Sequence, residues 1–327
     1  MVSSVPGPSV PGPLRVVFFG TPGFAVASLQ ALTQSAHQVV AVVSQPDRPK
    51  GRGHEVQATP TKTMAETFGI PVLQPAKIRD EGFLQQMRDF RPDLGVVVAF
   101  GRILPDALLA IPRLGMINVH ASILPRYRGA APIQRAVLAG DPETGVTIMR
   151  VITEMDAGPT FAVASVPIPP DATSGEMEGT LAAIGAQLLL PVVDDLAAGR
   201  AVETPQDASR ATHAAKITKA EGAIDWTQPA SAVHNKVRGL QPWPLASTRL
   251  AGERLVLRRT SPAPGIESGI RSSAGTVIRA HGDELIVACG GATALRIFDL
   301  QPEGRRTMTA REFLAGHGAI EGTRFEP

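Results

Sequence analysis

The sequence predicts an α/β domain built on an open, mostly parallel sheet, followed by a smaller β-rich domain of the barrel kind. Three observations predict it. Short apolar runs alternate with stretches of helical periodicity through residue 200. One stretch, residues 117–136 (INVHASILPRYRGAAPIQRA), ends a strand in polar groups and then loops into a helix. That is the form of the C-terminal edge of an open α/β sheet, where such folds bind their ligands. Beyond residue 240 the pattern changes to short β-like runs separated by Gly and Pro, the signature of a small barrel or sandwich.

The elements follow in order. Residues 14–19 (LRVVFF) read as a buried strand, Gly20-Thr21-Pro22-Gly23 as a turn, 24–32 as a helix and 39–44 as a second strand. This is a βαβ unit. Its turn is not G-x-G-x-x-G, so no dinucleotide cofactor is indicated. The turn caps the helix or holds an anion at its N-terminus. Residues 45–61 (QPDRPKGRGHEVQATPT) then exceed the roughly two to six residues of a plain βα loop. They carry Arg48, Lys50 and Arg52 against Asp47, with glycines that let the backbone reshape. A mobile loop is expected, and long loops beside an active edge are often functional.

A helix over 63–68, a strand over 71–73, a helix over 80–90 and a strand over 94–98 come next. A short helix ends near Ile111, a strand covers 115–120, and a helix runs from Ala130 to about Leu138. Residues 145–151 form a strand, Met155-Asp156-Ala157-Gly158-Pro159 a tight loop, and 160–168 a returning strand. Residues 175–196 have helical periodicity, with Leu181, Ile184, Leu188 and Val192 on one face. The pattern lapses over 201–219, the linker candidate. A helix over 230–240 and strands over 255–257, 276–279, 284–289 and 294–298 complete the chain. The expected division is a disordered tail (1–13), an α/β domain (14–200), a linker (201–219) and a β-barrel domain (220–327).

Composition narrows the function classes. Of 327 residues, 43% are hydrophobic and 19% charged, enough for two real cores. No continuous apolar run approaches the ~20 residues of a membrane span. Residues 1–13 lack the basic start of a signal peptide. The one cysteine, Cys289, excludes an internal disulfide and a cysteine-based zinc site. A cytoplasmic monomer without a metal is expected. The net charge of +2 permits a nucleic-acid partner without arguing for one. Residues 221–327 hold thirteen Lys or Arg against eleven Asp or Glu, so any RNA footprint there must be local.

Chemistry concentrates at Asn118 and His120. Side chains two apart on a strand point the same way, so these two project together while Val119 turns into the core. An amide donor beside an imidazole suits acyl transfer: one group holds a developing oxyanion and the other moves protons. Asp156, in the MDAG loop after a strand that should neighbour this one, would hold His120 or a water. Taken alone, each of these residues is an ordinary turn or surface group.

Together the motifs resemble the folate-dependent formyltransferases, from about Leu14 nearly to the C-terminus. The marks are VVFFGTPGFA at 16–25, QPDRPKGRG at 45–53, the 117–136 stretch, and GVTIMRV with MDAG. The later part adds IDW at 224–226, QPWP at 241–244 and LQPEGRRTM at 300–308. Asn-x-His, then Ser-x-Leu-Pro, then a later Asp is the pattern of the whole class. QPDRP and QPWP are similar to its methionyl-tRNA-acting branch. The resemblance implies a Rossmann-like formyltransferase domain followed by an OB-like barrel that binds tRNA. It implies transfer from 10-formyltetrahydrofolate to the α-amino group of methionine on initiator tRNA. Asn118 and protonated His120 then donate to the oxygen of the tetrahedral intermediate, and Asp156 favours the imidazolium. Ser122, Ile123, Leu124 and Pro125 match the folate-contacting segment, and Phe100, Gly101, Arg102, Ile103 and Leu104 resemble the other side of the pterin pocket. Arg48, Lys50 and Arg52 are the expected tRNA contacts in the first domain, Arg305 and Arg306 in the second. Two departures leave the catalytic set intact: Gly23 stands where Asp or Glu is common, and Pro159 where Asp is.

Other readings stay open on the residues alone. A formyltransferase acting on a small amine, such as glycinamide ribonucleotide or an amino sugar nucleotide, would share the chemistry. A non-catalytic tRNA- or nucleotide-binding α/β protein, or a nicotinamide oxidoreductase, fits less of the pattern. Trp243, between two prolines, reads as a domain-packing anchor, with substrate contact the alternative. Arg305 and Arg306 are phosphate contacts or a solvated turn.

Overall fold

The structure is a computed structural model that describes residues 12–50, 55–263, 272–317 and 320–326. It divides into two compact units. The first takes in the chain up to residue 132, with 144–166 and 178–214; the second takes in 133–143, 167–177 and everything from 215 onward.

Through residue 214 the elements are β1 (Arg15–Gly20), α1 (Gly23–Thr33), β2 (Gln38–Val43), β3 (Arg48–Lys50), β4 (Glu55–Gln57), α2 (Pro60–Thr67), β5 (Val72–Leu73), α3 (Glu81–Asp89), β6 (Leu94–Val98), α4 (Asp106–Leu109), β7 (Met116–His120), β8 (Arg128–Gly129), α5 (Pro132–Ala139), β9 (Glu143–Arg150), β10 (Thr160–Pro167), α6 (Ser174–Ala197) and β11 (His213–Ala214). The main sheet has the order β10-β9-β7-β6-β1-β2-β5. Strands β5, β2, β1, β6 and β7 are parallel, and β9 joins β7 antiparallel. The chain leaves β1 toward β2 and β5, then returns to β6 and β7 on the other side. The strand order therefore reverses between β1 and β6, the switch point at which such Rossmann-like sheets open a crevice.

The central strands read as unbroken apolar runs because both faces are covered. Val17, Phe19, Val43, Met87, Phe100 and Met116 share one core cluster. Helix α2 begins at Pro60, three residues before the expected start. The Thr59 side chain accepts from the Lys62 amide, and Pro60 needs no partner for an N–H it lacks. Helix α6 is long and apolar enough to cross a membrane by length and composition, although no unbroken apolar run marks it in the sequence. Here it packs as a core helix, with Leu181, Leu189 and Val193 wholly buried. A Cβ at its Gly185 would stand 2.8 Å from Val119 Cγ1, so glycine lets the helix lie close on β7.

Two segments differ from expectation. Residues 45–61 are not simply loop: β3 and β4 pair antiparallel as a two-stranded ribbon outside the main sheet. Residues 201–214 are built into the first unit. Thr204 bridges Thr160, and β11 runs parallel beside β8.

The second unit adds α7 (Ala230–Gly239), β12 (Ala246–Leu250), β13 (Glu253–Pro262), β14 (Val277–His281), β15 (Glu284–Cys289), β16 (Thr293–Pro302), β17 (Met308–Thr309), α8 (Ala310–Gly316) and β18 (Phe325–Glu326). The sheet order is β14-β15-β16-β13-β12-β18, with β17 also on β16 and every one of these pairings antiparallel. Its two ends meet. Thr276 bridges Arg324, and the Val277 amide donates to Thr323 O at 2.9 Å. The sheet thus curls until its ends join through this short junction, as in OB-like barrels. Inside, Trp226 stacks on Phe325 with ring centroids 5.5 Å apart and donates its indole N–H to Thr248 Oγ1 at 2.9 Å. The expected packing anchor, Trp243, is instead 56% exposed, and Trp226 fills the core. Helix α8 went unanticipated, yet Thr309 and Glu312 form its capping box.

Arg238 of α7 is a buried charge, 6% exposed. It donates to Ala172 O (3.1 Å), Pro169 O (3.5 Å) and Val137 O (3.5 Å), and its Nε to Asn235 Oδ1 (2.9 Å). It thereby ties α7 to both outlying segments of its unit. Arg238→Ala leaves those carbonyls without a charged donor and should destabilise the second unit by about 2–4 kcal/mol. Denaturant unfolding checks this, with Arg238→Lys expected to recover only part because a point charge cannot span the fork of acceptors.

Candidate functional site

Strand β7 delivers the site. Its register pairs Asn118 with Val97 of β6 and Met149 of β9, and His120 with Thr147 of β9. The strand ends at His120, at the C-terminal edge of the sheet. Asn118 is half-buried, and among the described residues nothing hydrogen-bonds its amide. A donor left open in such a place is available to a ligand.

His120 is 5% exposed and tightly oriented. Its Nε2 lies 2.9 Å from Tyr127 O. A carbonyl oxygen only accepts, so Nε2 carries the proton. In the neutral ring Nδ1 is then a lone pair, and it faces Asp156 Oδ2 at 3.7 Å. The two acceptors do not hydrogen-bond in that state. Nδ1 is thus the ring atom turned toward the carboxylate.

Asp156 has φ +51°, a left-handed conformation that Asp tolerates better than most residues. Its Oδ2 accepts the Gly129 amide at 2.9 Å. Gly129, with φ +126°, lies close against β11, since a Cβ there would stand 2.7 Å from Ala214 O. Behind Asp156, Gln206 Nε2 donates to Asp156 O (2.9 Å) and Gly158 O (2.7 Å). Gln206 Oε1 accepts from Arg128 Nε (3.1 Å) and Nη2 (2.9 Å). Asp156, Gln206, Arg128 and Gly129 thus close a ring. Gln206 and Arg128 were missed because no spacing pattern points to them; Gln206 comes from the stretch read as linker.

The loop after β7 is held by Thr147. Its hydroxyl donates to Ser122 O (2.7 Å) and accepts from the Leu124 amide (3.1 Å). The wholly buried Ser122 hydroxyl donates to Arg126 O at 2.7 Å, and Leu124, ahead of a cis Pro125, is buried. Ile123 is half-buried. In the segment expected to line the pterin pocket, Phe100 and Leu104 turn into the core, with Phe100 edge-on to Phe19. Gly101 has φ +78°, Ile103 is 64% exposed, and Arg102 reaches Gln45, Pro75 and Ala76. Asn118, His120 and Asp156 come together. The expected tRNA contacts lie elsewhere. Arg48 is exposed at the start of β3, Lys50 ends that strand, and Arg52 lies outside the described residues. Arg305 is exposed. Arg306 pairs with Glu312 at 2.7 Å. The Thr309 amide and then Arg306 hold that carboxyl down at about 2. Among the described residues no group of three His, Cys, Asp or Glu could hold a metal.

Residues 14–193 match the formyl transferase family, and residues 216–318 its C-terminal domain. The chain is 46% identical to the methionyl-tRNA formyltransferase of Moorella thermoacetica, covering 94% of this chain and 98% of that protein. It is also 46% identical to the enzyme of the same name from Methylococcus capsulatus, covering 95% and 99%. Among solved structures it is similar in fold to an N-formyltransferase from Helicobacter canadensis crystallised with folinic acid and dTDP-3-aminofucose. That match has a TM-score of 0.66 at 14% identity, over 87% of this chain and 98% of the other. HypX from Aquifex aeolicus in complex with tetrahydrofolic acid is similar at a TM-score of 0.62 and 17% identity, over 94% of this chain and 48% of that one.

Gln206→Ala removes both N–H hydrogen bonds that fix the Asp156 loop and leaves Asn118, His120 and Asp156 in place. Turnover should fall about 10²-fold, the scale set by displacing a catalytic group by an ångström, while KM values and melting temperature stay close to those of the parent. Steady-state kinetics beside a thermal scan measure both.

Proposed function

The chain belongs to the formyltransferase family, and on that premise we propose that it transfers the formyl group of 10-formyltetrahydrofolate to the α-amino group of methionine on initiator tRNA, for translation initiation. One observation carries the reading: Asn118, His120 and Asp156 meet at the sheet edge of a chain 46% identical, nearly end to end, to proteins of that name. We take the enzyme to act in the cytoplasm as a monomer.

The open amide of Asn118 and the exposed Ile103 fit a folate bound along this edge, beside Gly101, Arg102 and the backbone of Ser122, Ile123, Leu124 and Pro125. The folate supplies the formyl carbon, whose oxygen gains negative charge as the amine adds. Asn118 Nδ2–H donates to that oxygen. His120, fixed through Nε2–H to Tyr127 O, handles the proton at Nδ1, and Asp156 stabilises the imidazolium so formed. The half-buried carboxylate keeps its orientation through the Gly129 amide rather than through the imidazole.

The tRNA is read, on this proposal, by Arg48, Lys50 and Arg52 near the acceptor end, and by Arg305 and Arg306 on the barrel. Two modules on one ligand raise the effective concentration of its reactive end. Because residues 201–214 belong to the first unit and 133–143 and 167–177 to the second, a simple cut near residue 205 would damage both. Point substitutions are the better probe.

Formylation of charged initiator tRNA, followed by mass spectrometry of the blocked α-amine, tests the function; a parent enzyme that formylates only small amines would refute it. Asn118→Ala and His120→Ala should each lower kcat by about 10²–10³-fold with little change in folding. Near-normal turnover of the His120 variant at saturating substrate would sink the mechanism. Replacing Arg48 or Arg52 by Ala should impair kinetics with charged tRNA while leaving folate affinity alone. The Arg305→Ala/Arg306→Ala pair should weaken tRNA binding and flatten its salt dependence.

A further inference from the structure

The ribbon β3–β4 has no core of its own. It pairs Arg48 with Gln57, Pro49 with Val56 and Lys50 with Glu55, and it joins no other strand among the described residues. Val56 is 68% exposed. An isolated two-stranded ribbon is marginal in water, so its direction is set where its two ends leave the domain. Both ends are clamped by side chains, one of them inside the 45–53 motif and two from outside it.

On the entering side stands Asp47, one residue before β3. Its Oδ2 pairs with Lys62 Nζ at 2.5 Å, and its Oδ1 accepts Gln74 Nε2 at 2.6 Å and the Thr59 amide at 3.4 Å. Lys62 Nζ also donates to Gln74 Oε1 at 3.2 Å. Lys62 is in the first turn of α2, immediately beyond the leaving side of the ribbon, and Gln74 follows β5. The three side chains therefore bind entry, exit and sheet edge together. Lys62 and Asp47 are about one-fifth exposed, 23% and 19%. This shields the pair more than a surface ion pair and fixes its geometry. Burial opposes both charges, but hydrogen bonding to Lys62 and then to Gln74 lowers the Asp47 carboxyl, and hydrogen bonding to Asp47 raises the Lys62 ammonium. Both stay charged at neutral pH.

The clamp extends toward the site. Gln74 Nε2 donates to Gln45 O at 2.8 Å, Gln45 Nε2 to Phe100 O at 3.0 Å, and Arg102 Nε to Gln45 Oε1 at 3.1 Å. The root of the ribbon is thus tied to the segment 100–102 beside the proposed folate site. Below it, buried Ser44 and Thr59 share a 2.6 Å hydrogen bond, and Thr61 donates to Gly20 O at 2.9 Å.

We propose that Lys62, Asp47 and Gln74 form a latch that aims the ribbon, so that Arg48 meets the acceptor end of the charged tRNA while the folate site is left untouched. Lys62 and Asp47 are positioning residues for the macromolecular substrate; neither touches a reacting atom. The inference rests on the proposed function above for its substrate, but the latch itself is a property of the ribbon.

Two readouts on the full-length enzyme keep these apart. Hydrogen–deuterium exchange followed on the amides of β3 and β4 should quicken in Lys62→Met and in Asp47→Asn, with the main sheet unchanged. Kinetics should show kcat/KM for charged tRNA falling by about 10–10²-fold, the scale of a misplaced binding group, with folate affinity and melting temperature retained. The charge-reversed double variant Lys62→Asp/Asp47→Lys should recover part of both. If ribbon exchange is unchanged in the single variants, the latch is wrong whatever the substrate. If exchange quickens but tRNA kinetics stay normal in an enzyme whose parent formylates tRNA, the latch does not aim the ribbon at the acceptor end and the proposal falls. A parent inactive on charged tRNA overturns the proposed function, and with it the substrate assigned to the ribbon, while exchange still decides whether the latch exists.

Discussion

A single backbone amide, Gly129 N–H on Asp156 Oδ2, holds the geometry of the site together. Asp156 has a strained φ and stands 3.7 Å from the imidazole it serves, too far to be held by it. Its carboxylate is fixed from the side by Gly129 and its backbone from behind by Gln206, itself braced by Arg128. The arrangement turns Nδ1 of His120 toward Asp156 without a hydrogen bond between them in the neutral ring. A carboxylate that hydrogen-bonded the ring directly would orient it as well, but here Tyr127 O already does so. The ring is thereby oriented by one group and the carboxylate held by another, the arrangement that the proposed mechanism calls for.

A similar division recurs at a larger scale. The parallel sheet forms an edge, and irregular segments beside it are held by side chains from elsewhere. The 122–125 loop is pinned by Thr147 of the neighbouring strand, and the β3–β4 ribbon by a charged cluster at its root. In the second unit the two ends of the sheet meet, and a buried arginine gathers two outlying segments by their carbonyls. In each case a side chain from a distant part of the sequence fixes a backbone that has too little apolar surface to fix itself.

Much of the fold was legible. Strand β6 and strand β15 match their expected bounds, since an unbroken apolar run flanked by turn residues leaves little choice. The pairing of Asn118 with His120 on one strand follows from alternation alone. What escaped was short or mixed in composition: β8, β11 and β12 have no apolar run long enough to mark them. Trp243 is read from its neighbouring prolines, which carry no information on burial. Trp226 follows an Ile-Asp pair and is core, while Trp243, framed by prolines, stands out into solvent.

By itself the sequence determined the two-part architecture, the order of the longer strands and helices, and the three residues that meet in the candidate site, because hydrophobic period and motif spacing are local properties of a chain. Only the tertiary structure decided that residues read as linker belong to the first unit, that Gln206 braces Asp156, that Phe100 faces the core, and that Lys62 clamps Asp47. These depend on hydrogen bonds between groups far apart along the chain. A polar side chain carries no signature of which distant carbonyl or carboxylate it will meet until the sheet has brought the two within 3 Å of each other.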